Sequence, residues 1–236
     1  MKKNAFTLAE VLITLAIIGV VTAMTMPTLI QNHQKKSLEV ATKKFYSMMS
    51  QAVKQYMADE GVDDLRNTDI IHKSREENTD IAREAFVKKY LNVIRICPNG
   101  CFAKSYKMQN GDTSDTYLGY GKFILSDGII IDFHSAYGED YSWPLEIIVD
   151  INGNKGPNKI GYDLWTMSIF YDGSIDESNV TPECKQGKRN LGGYKNFCGG
   201  NNTPSEARAM RFETCQDSYY GGCFGHFLEN GFKFDY

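Results

Sequence analysis

The sequence predicts an α+β chain: a long N-terminal helix, apolar in its first half and amphipathic in its second, packed on an antiparallel β-sheet head with a disulfide-tied C-terminal loop region. Three observations carry this. From Phe6 an apolar run of 25 residues contains a single charged side chain, Glu10. Apolar residues then recur at helical spacing as far as Met57, and beyond Tyr120 the period shortens to that of strands. All six cysteines, at 97, 101, 184, 198, 215 and 223, follow the helix.

At 236 residues and 42% apolar, the chain supports one core with an appendage rather than two full domains. A formal charge of -3 gives no general footprint for nucleic acid, and no such partner is expected. An even cysteine count confined to one region fits oxidised pairs in an exported head. The expected organisation is a leader at 1–5, a membrane half of the helix at 6–30, an amphipathic half at 31–60, a head at 61–175 and Cys/Gly/aromatic-rich loops at 176–236.

The leader, MKKNA, is short and basic. The run after it, FTLAEVLITLAIIGVVTAMTMPTLI, is long enough to cross a bilayer. Lys2 and Lys3 hold the short flank in the cytoplasm and send the rest across, which places the head outside the cytoplasm. Glu10 is the anomaly, since an ionised carboxylate in a membrane span costs roughly 2.5 to 3.5 kcal/mol on insertion scales. Snorkelling, protonation, or a cation from another molecule would relieve it. A cut after Ala5 would create such a cation at the new Phe6 ammonium, and staggered copies could bring one chain's Glu10 to another's terminus.

The segment Ala5-Phe6-Thr7-Leu8-Ala9-Glu10, followed by an unbroken apolar helix, resembles the cleavage and methylation segment of type IV prepilins and type II secretion pseudopilins over roughly residues 1–32. In that family a membrane aspartyl peptidase removes the leader, the new terminal residue is N-methylated, and the glutamate five residues into the mature chain assists assembly. The resemblance implies these roles for the Ala5–Phe6 bond, Phe6 and Glu10. Gly19 and Pro27 fall where such proteins commonly carry a helix glycine and a helix proline. The residue before the cut is usually Gly; here it is the small Ala5. The resemblance further implies a single-pass inner-membrane precursor with a cytoplasmic N-terminus. Its partners would be copies of itself, related subunits, a prepilin peptidase and methylase, an assembly platform and, before assembly, lipid. A minor pilin acting as an adhesive, glycan- or DNA-binding tip is an alternative. A secreted globular protein or enzyme, released by an ordinary signal peptide cut after Val21-Thr22-Ala23, is another, but it leaves Glu10 and the FTLAE spacing unexplained.

Beyond Pro27, which can bend or locally melt the helix, Leu38, Ala41, Phe45, Met48, Met49, Ala52, Tyr56 and Met57 form one apolar stripe, and Gly61 is a stop signal. Asp63–Asn78 reads as a loop with a short helical turn. Thr79–Ile96 reads as a second helix, capped by Thr79 or Asn78. FILSDGIIIDFH reads as two strands around Ser126-Asp127-Gly128. Pro144–Ile151 and Leu164–Tyr171 supply two more, the last closed by Asp172-Gly173. From Asp176 onward no sustained periodicity remains, and the segment reads as crosslinked loops with little core of their own.

Cys97-Pro-Asn-Gly-Cys101 has one residue too many for a thioredoxin-type motif and reads as a small disulfide loop. Cys215 with Cys223 and Cys184 with Cys198 are candidate pairs, among 15 pairings that six cysteines allow. A zinc site at Cys223 and His226 is disfavoured because CxxC spacing is absent. Asp150, Asn152, Asn154, Asn158 and Asp163 alternate oxygen side chains in the manner of a calcium loop. The glycine is one place later than in an EF-hand, however, and Gly161 stands where the bidentate glutamate belongs. Calcium-bound loops in pseudopilin heads add to that reading; the competing one is a series of turns held by Asx hydrogen bonds. Tyr194, Phe197, Tyr219, Tyr220 and Phe224 offer either an adhesive surface or plugs for a small core. There is no P-loop, HExxH, GxSxG or dinucleotide fingerprint, and no enzymatic activity is expected.

Overall fold

The computed structural model describes residues 7–71, 80–114, 121–135, 145–178, 180–186, 203–217 and 221–236. Helix α1 runs from Leu8 to Glu60 and continues through Pro27. Gly61, at φ +67°, ends it: Gly61 N–H donates to the Ala58 carbonyl and Val62 N–H to that of Met57. This is a Schellman closure, which requires a left-handed residue at this position. The chain divides into two compact units, one ending at Ser37 and one beginning at Leu38.

In the first unit the aliphatic side chains stand out from the helix, with Leu8 77%, Ile18 60% and Leu29 70% exposed. The second unit is the head. After a 3-10 turn at Leu65–Asn67 come α2 (Asp80–Tyr90), β1 (Val93–Ile96), β2 (Tyr106–Lys107), β3 (Thr113–Ser114), β4 (Phe123–Leu125), β5 (Ile130–Ser135), β6 (Leu145–Asp150), β7 (Leu164–Ile169) and β8 (Ile175–Asp176). Helices α3 (Pro182–Lys185), α4 (Pro204–Phe212) and α5 (Phe224–Glu229) follow. Among the described residues one antiparallel sheet has the order β1-β4-β5-β6-β7-β8, and β2 and β3 pair separately.

The register brings Ile131, Val149 and Trp165 into one row and Phe133, Ile147 and Met167 into the next. On α1 the buried residues are Leu38, Thr42, Phe45, Met49, Ala52, Val53 and Tyr56, and the apolar ones join the sheet residues in the main core. A stripe of helical period thus meets a sheet face of period two. Every residue of β6 and β7 is buried, because the β2–β3 region and the C-terminal segment cover the second face. Tyr106, Ile148, Ile160 and Leu164 form a small apolar cluster there.

Two expectations are corrected. The second helix stops at Tyr90, and Val93-Ile94-Arg95-Ile96 is an edge strand paired with β4. Its β-branched residues favour the pleat, and Ser126 N–H donates to the Asn92 carbonyl at the bend before it. The C-terminal region is not a set of loops alone. It contains α4 and α5 and lends Cys215, Cys223, Phe224 and Phe227 to the main core. Thr203 caps α4 in a reciprocal capping box with Glu206.

Charged groups tie this region to the sheet edge. Asp176 accepts hydrogen bonds from Arg208 Nη2 at 2.6 Å and Nε at 3.1 Å, and Lys185 Nζ lies 3.2 Å away. Arg208 also reaches Glu229 at 3.2 Å. The next residue, Glu177, is 1% exposed and accepts from the N–H groups of Gly222 and Gly225. Removing one partner of a buried ion pair leaves a charge without compensation. Asp176→Asn is therefore expected to lower stability by about 3 kcal/mol, whereas Glu229→Gln, at the wetter end of the same network, costs under about 1 kcal/mol. Urea melts of the full chain in detergent measure both; equal effects would remove the Asp176 anchor from this account.

Candidate functional site

The first turn of α1 is built by its own side chains. Thr7 N–H and Thr7 Oγ1 both donate to Glu10 Oε2 at 2.8 Å, and Glu10 N–H donates back to Thr7 Oγ1 at 3.3 Å. This is a capping box, T-x-x-E, in which the carboxylate satisfies a helix-start N–H that has no intrahelical partner. Glu10 thus has a local hydrogen-bonding partner that the apolar character of its surroundings hides. Ala5 and Phe6 lie outside the described residues.

The rest of the span is apolar and open. Apart from the adjoining residues and the helix's own backbone, no described atom lies within 4 Å of where a Cβ on Gly19 would stand, so that glycine leaves a notch in the helix surface. Pro27 lies inside the helix and cannot donate a backbone hydrogen bond. Thr14 and Thr25 return their hydroxyls to the carbonyls of Val11 and Val21, so neither presents an unsatisfied donor to lipid. α1 is long and apolar enough to cross a membrane.

Residues 1–26 match the prokaryotic N-terminal methylation motif. Residues 28–144 match a family of unknown function, DUF6613. Neither a curated protein nor a solved structure matches the chain. The methylation motif, the apolar helix and the antiparallel head together give a pilin- or pseudopilin-like architecture.

The head carries the crosslinks expected at Cys97–Cys101 and Cys215–Cys223. Cys184 is disulfide-bonded too, while Cys198 lies outside the described residues. Phe224 is 1% exposed and stands 6.1 Å from the Trp165 ring, as a core plug and not a surface. Tyr194, Phe197, Tyr219 and Tyr220 lie outside the described residues. His226 stacks on Phe212 at 3.8 Å and bonds Asp235 at 2.9 Å. Among the described residues no three His, Cys, Asp or Glu side chains gather where a metal ion could be held.

The 150–163 loop brings four of its five oxygen residues into one hydrogen-bonded or buried region. Asp150 and Asp163 are wholly buried. Asp150 accepts from Tyr106 Oη at 2.6 Å and from Asn152 N–H at 3.2 Å. Asp163 accepts from the N–H groups of Asn158 and Lys159 at 2.7 and 2.6 Å, and from Asn152 Nδ2 at 3.4 Å. Asn152 Oδ1 and Asn158 Oδ1 are buried with no hydrogen-bond partner among the described residues, and Asn154 is exposed. Burial pushes the Asp150 carboxyl up to about 7 against the opposing Tyr106 hydrogen bond, and the Asp163 carboxyl is raised as well.

Sequence reasoning did not find Glu146. It lies on β6 in register with Ser168, 8% exposed, on the sheet face that the C-terminal region covers. Burial first, and the Glu177 carboxylate second, push its carboxyl up to about 7, against the pull of Arg211. A carboxyl whose folded pKa exceeds its unfolded one holds its proton better in the fold. The contribution of this one group to stability is then full below about pH 4.5 and is lost as pH rises through about 7, by about 3 kcal/mol for a shift of this size. Glu146→Gln should flatten part of the decline between pH 5 and 8, with Asp150 and Asp163 contributing to the remainder. Thermal melts across that range check this; identical slopes for the two proteins would absolve Glu146.

Proposed function

We propose that the chain is a structural subunit, cut after Ala5 and N-methylated on Phe6. It then polymerises through residues 6–30 with copies of itself or related subunits into a type IV pilus-like or type II secretion filament. The observation that carries this reading is the methylation motif on a helix whose aliphatic side chains, from Leu8 to Ile30, are exposed. Such a surface is stable in lipid before assembly and against other helices afterwards. In this reading residues 1–5 are the leader and the N-terminus is cytoplasmic. The amphipathic half of the helix from residue 31 and the head after it lie beyond the membrane, and an assembly platform extracts the subunit. The chain is then the substrate of a peptidase and methylase, not an enzyme. Gly19 allows close helix approach and Pro27 supplies a point of weakness in the helix.

Mass spectrometry of the mature N-terminus, on protein from host membranes and sheared surface fractions, tests this. A chain beginning at N-methyl-Phe6 is expected; one beginning at Met24 would make the apolar run a discarded signal. Scarcity in a filament built of another subunit would favour a tip or binding role. The capping box sharpens the assembly test. Glutamine at the third helical position also serves a capping box, so Glu10→Gln keeps the local role of the side chain and removes its charge. If Glu10 meets the Phe6 ammonium of another subunit, both Glu10→Ala and Glu10→Gln leave processing intact and block incorporation. Normal incorporation of Glu10→Gln would restrict Glu10 to capping.

A second proposal concerns the 150–163 loop. The donor set of Asp150, Asp163, Asn152 and Asn158 is all oxygen, and the two orphaned amide oxygens fit a hard cation such as calcium. Bound there, the ion would neutralise two buried carboxylates and clamp the β6–β7 connection. Calcium is expected to raise the melting temperature of the full chain by several degrees over chelator, and Asp163→Asn to abolish the difference. No shift would leave the loop closed by its own hydrogen bonds alone.

A further inference from the structure

We propose that the head contains a self-complementary, head-to-tail surface: a basic groove on α1 that receives the acidic turn following α1 of a second copy. The inference rests on the polymeric reading above and adds a defined contact to it.

The groove is open and lies along α1 beside the end of α2, with Val40, Lys43, Lys44, Ser47, Gln51 and Lys89 among its walls and, among the described residues, no carboxylate lining it. Val40 is 60% exposed, which is unusual for a β-branched aliphatic residue on a head helix whose other face is core. The Lys44 and Lys89 side chains are 68% and 61% exposed. Each has a surface partner, Asp127 at 3.4 Å and Asp59 at 2.8 Å, and pairs of this kind exchange readily for others. The turn that follows α1 has the opposite sign. From Asp59 to Asp69 it holds five carboxylates and one cation, Arg66. Asp59 and Asp64 are engaged by Lys89 and Arg66. Glu60, Asp63 and Asp69 face solvent.

Within one chain the patches meet at their near ends, where Lys89 pairs with Asp59; Lys43 and Lys44 cannot reach the solvent-facing carboxylates of the turn. Lys44 and Glu60 are sixteen residues apart on a single helix, about 24 Å at 1.5 Å per residue, well beyond the reach of a lysine side chain. In the polymeric reading the copies are staggered along parallel N-terminal helices, so the groove of one copy meets the turn of the next heterologously, and repetition of a contact that does not close on itself gives an open filament. The groove supplies cations, an exposed apolar contact at Val40 and amide and hydroxyl groups for hydrogen bonding. The turn supplies carboxylates on backbone already closed by the Gly61 cap.

A zero-length carbodiimide crosslink on filaments of the full chain, read by peptide mass spectrometry, tests the contact directly. A bond between Lys43 or Lys44 and Glu60 or Asp63 can arise only between copies. Such crosslinks are expected at low salt and should decline several-fold at high salt. The double charge reversal Lys43→Glu with Lys44→Glu should lower incorporation at least tenfold while leaving processing at Phe6 unchanged. Adding Glu60→Lys and Asp63→Lys should restore it, and a lysine at the end of α1 also suits the helix dipole. Three results would overturn the surface: no such crosslink in material that begins at N-methyl-Phe6, crosslinks from these lysines only to other proteins, or reversal variants that assemble like the parent. If reversal instead loosens membrane retention before assembly, the groove serves lipid headgroups and the proposal fails. A chain beginning at Met24 would remove the filament reading and this contact together, and so is distinguishable from failure of the contact alone.

Discussion

The head depends on one packing relation: the buried stripe of α1 against the inner face of the sheet. Phe45, Met49 and Val53, a helical turn apart and wholly buried, join Ile131, Ile147, Met167 and Ile169, which are equally dry. The sheet's central strands are thereby fixed in register, since a slip of one residue would turn Ile147 and Met167 away from the helix and bring Glu146 and Ser168 toward it. The same relation leaves the rest of the head portion of α1 free to carry charge. Its lysines and glutamines need no partners in the core because Leu38, Ala52 and Tyr56 already anchor the helix.

The second face of the sheet solves a different problem. Its rows carry Glu146, Asp150, Thr166, Ser168 and Asp176, all buried, so the segment that covers them must satisfy polar groups as well as exclude water. Tyr106 serves Asp150, Arg208 serves Asp176, and the backbone of the region around α5 serves Glu177. Aromatic residues of the same C-terminal segment pack instead on the helix-facing side, where Trp165 lies. Phe227 lies 4.6 Å from Trp165, and Phe234 stacks at 4.6 Å on Tyr162. Phe234 N–H also bonds Glu39 on α1, which ties the end of the chain back to the head helix.

Local pattern made the apolar N-terminal helix, the amphipathic stripe, the 123–135 hairpin and strands β6 and β7 readable, because each repeats its period, sustains its apolar run or carries its own turn residues. Edge strand β1 was hidden by an apolar spacing that runs on from α2 through Leu91 to Ile96. Helices α4 and α5, with nine and six residues, are too short for a periodic signal. One signature of α4 was nevertheless present: Thr203-Pro-Ser-Glu206 has the same T-x-x-E spacing as Thr7-Leu-Ala-Glu10, and each forms a reciprocal capping box. The burial of Asp150 and Asp176 could not be read, since their partners Tyr106 and Arg208 stand 44 and 32 residues away. At the candidate calcium loop the residue types were legible, but the burial of both aspartates and the orphaned oxygens of Asn152 and Asn158 are tertiary properties.

Tyr236 is a structural member of the head. Tyr162 Oη donates to the Tyr236 carbonyl oxygen at 2.8 Å, and Tyr236 Oη donates to the Gly161 carbonyl at 2.8 Å. Any chain continuing past Tyr236, a purification handle included, would therefore leave from a carbonyl group whose oxygen Tyr162 already holds. The turn at Gly111, where a side chain would meet open space, is the better place to insert one.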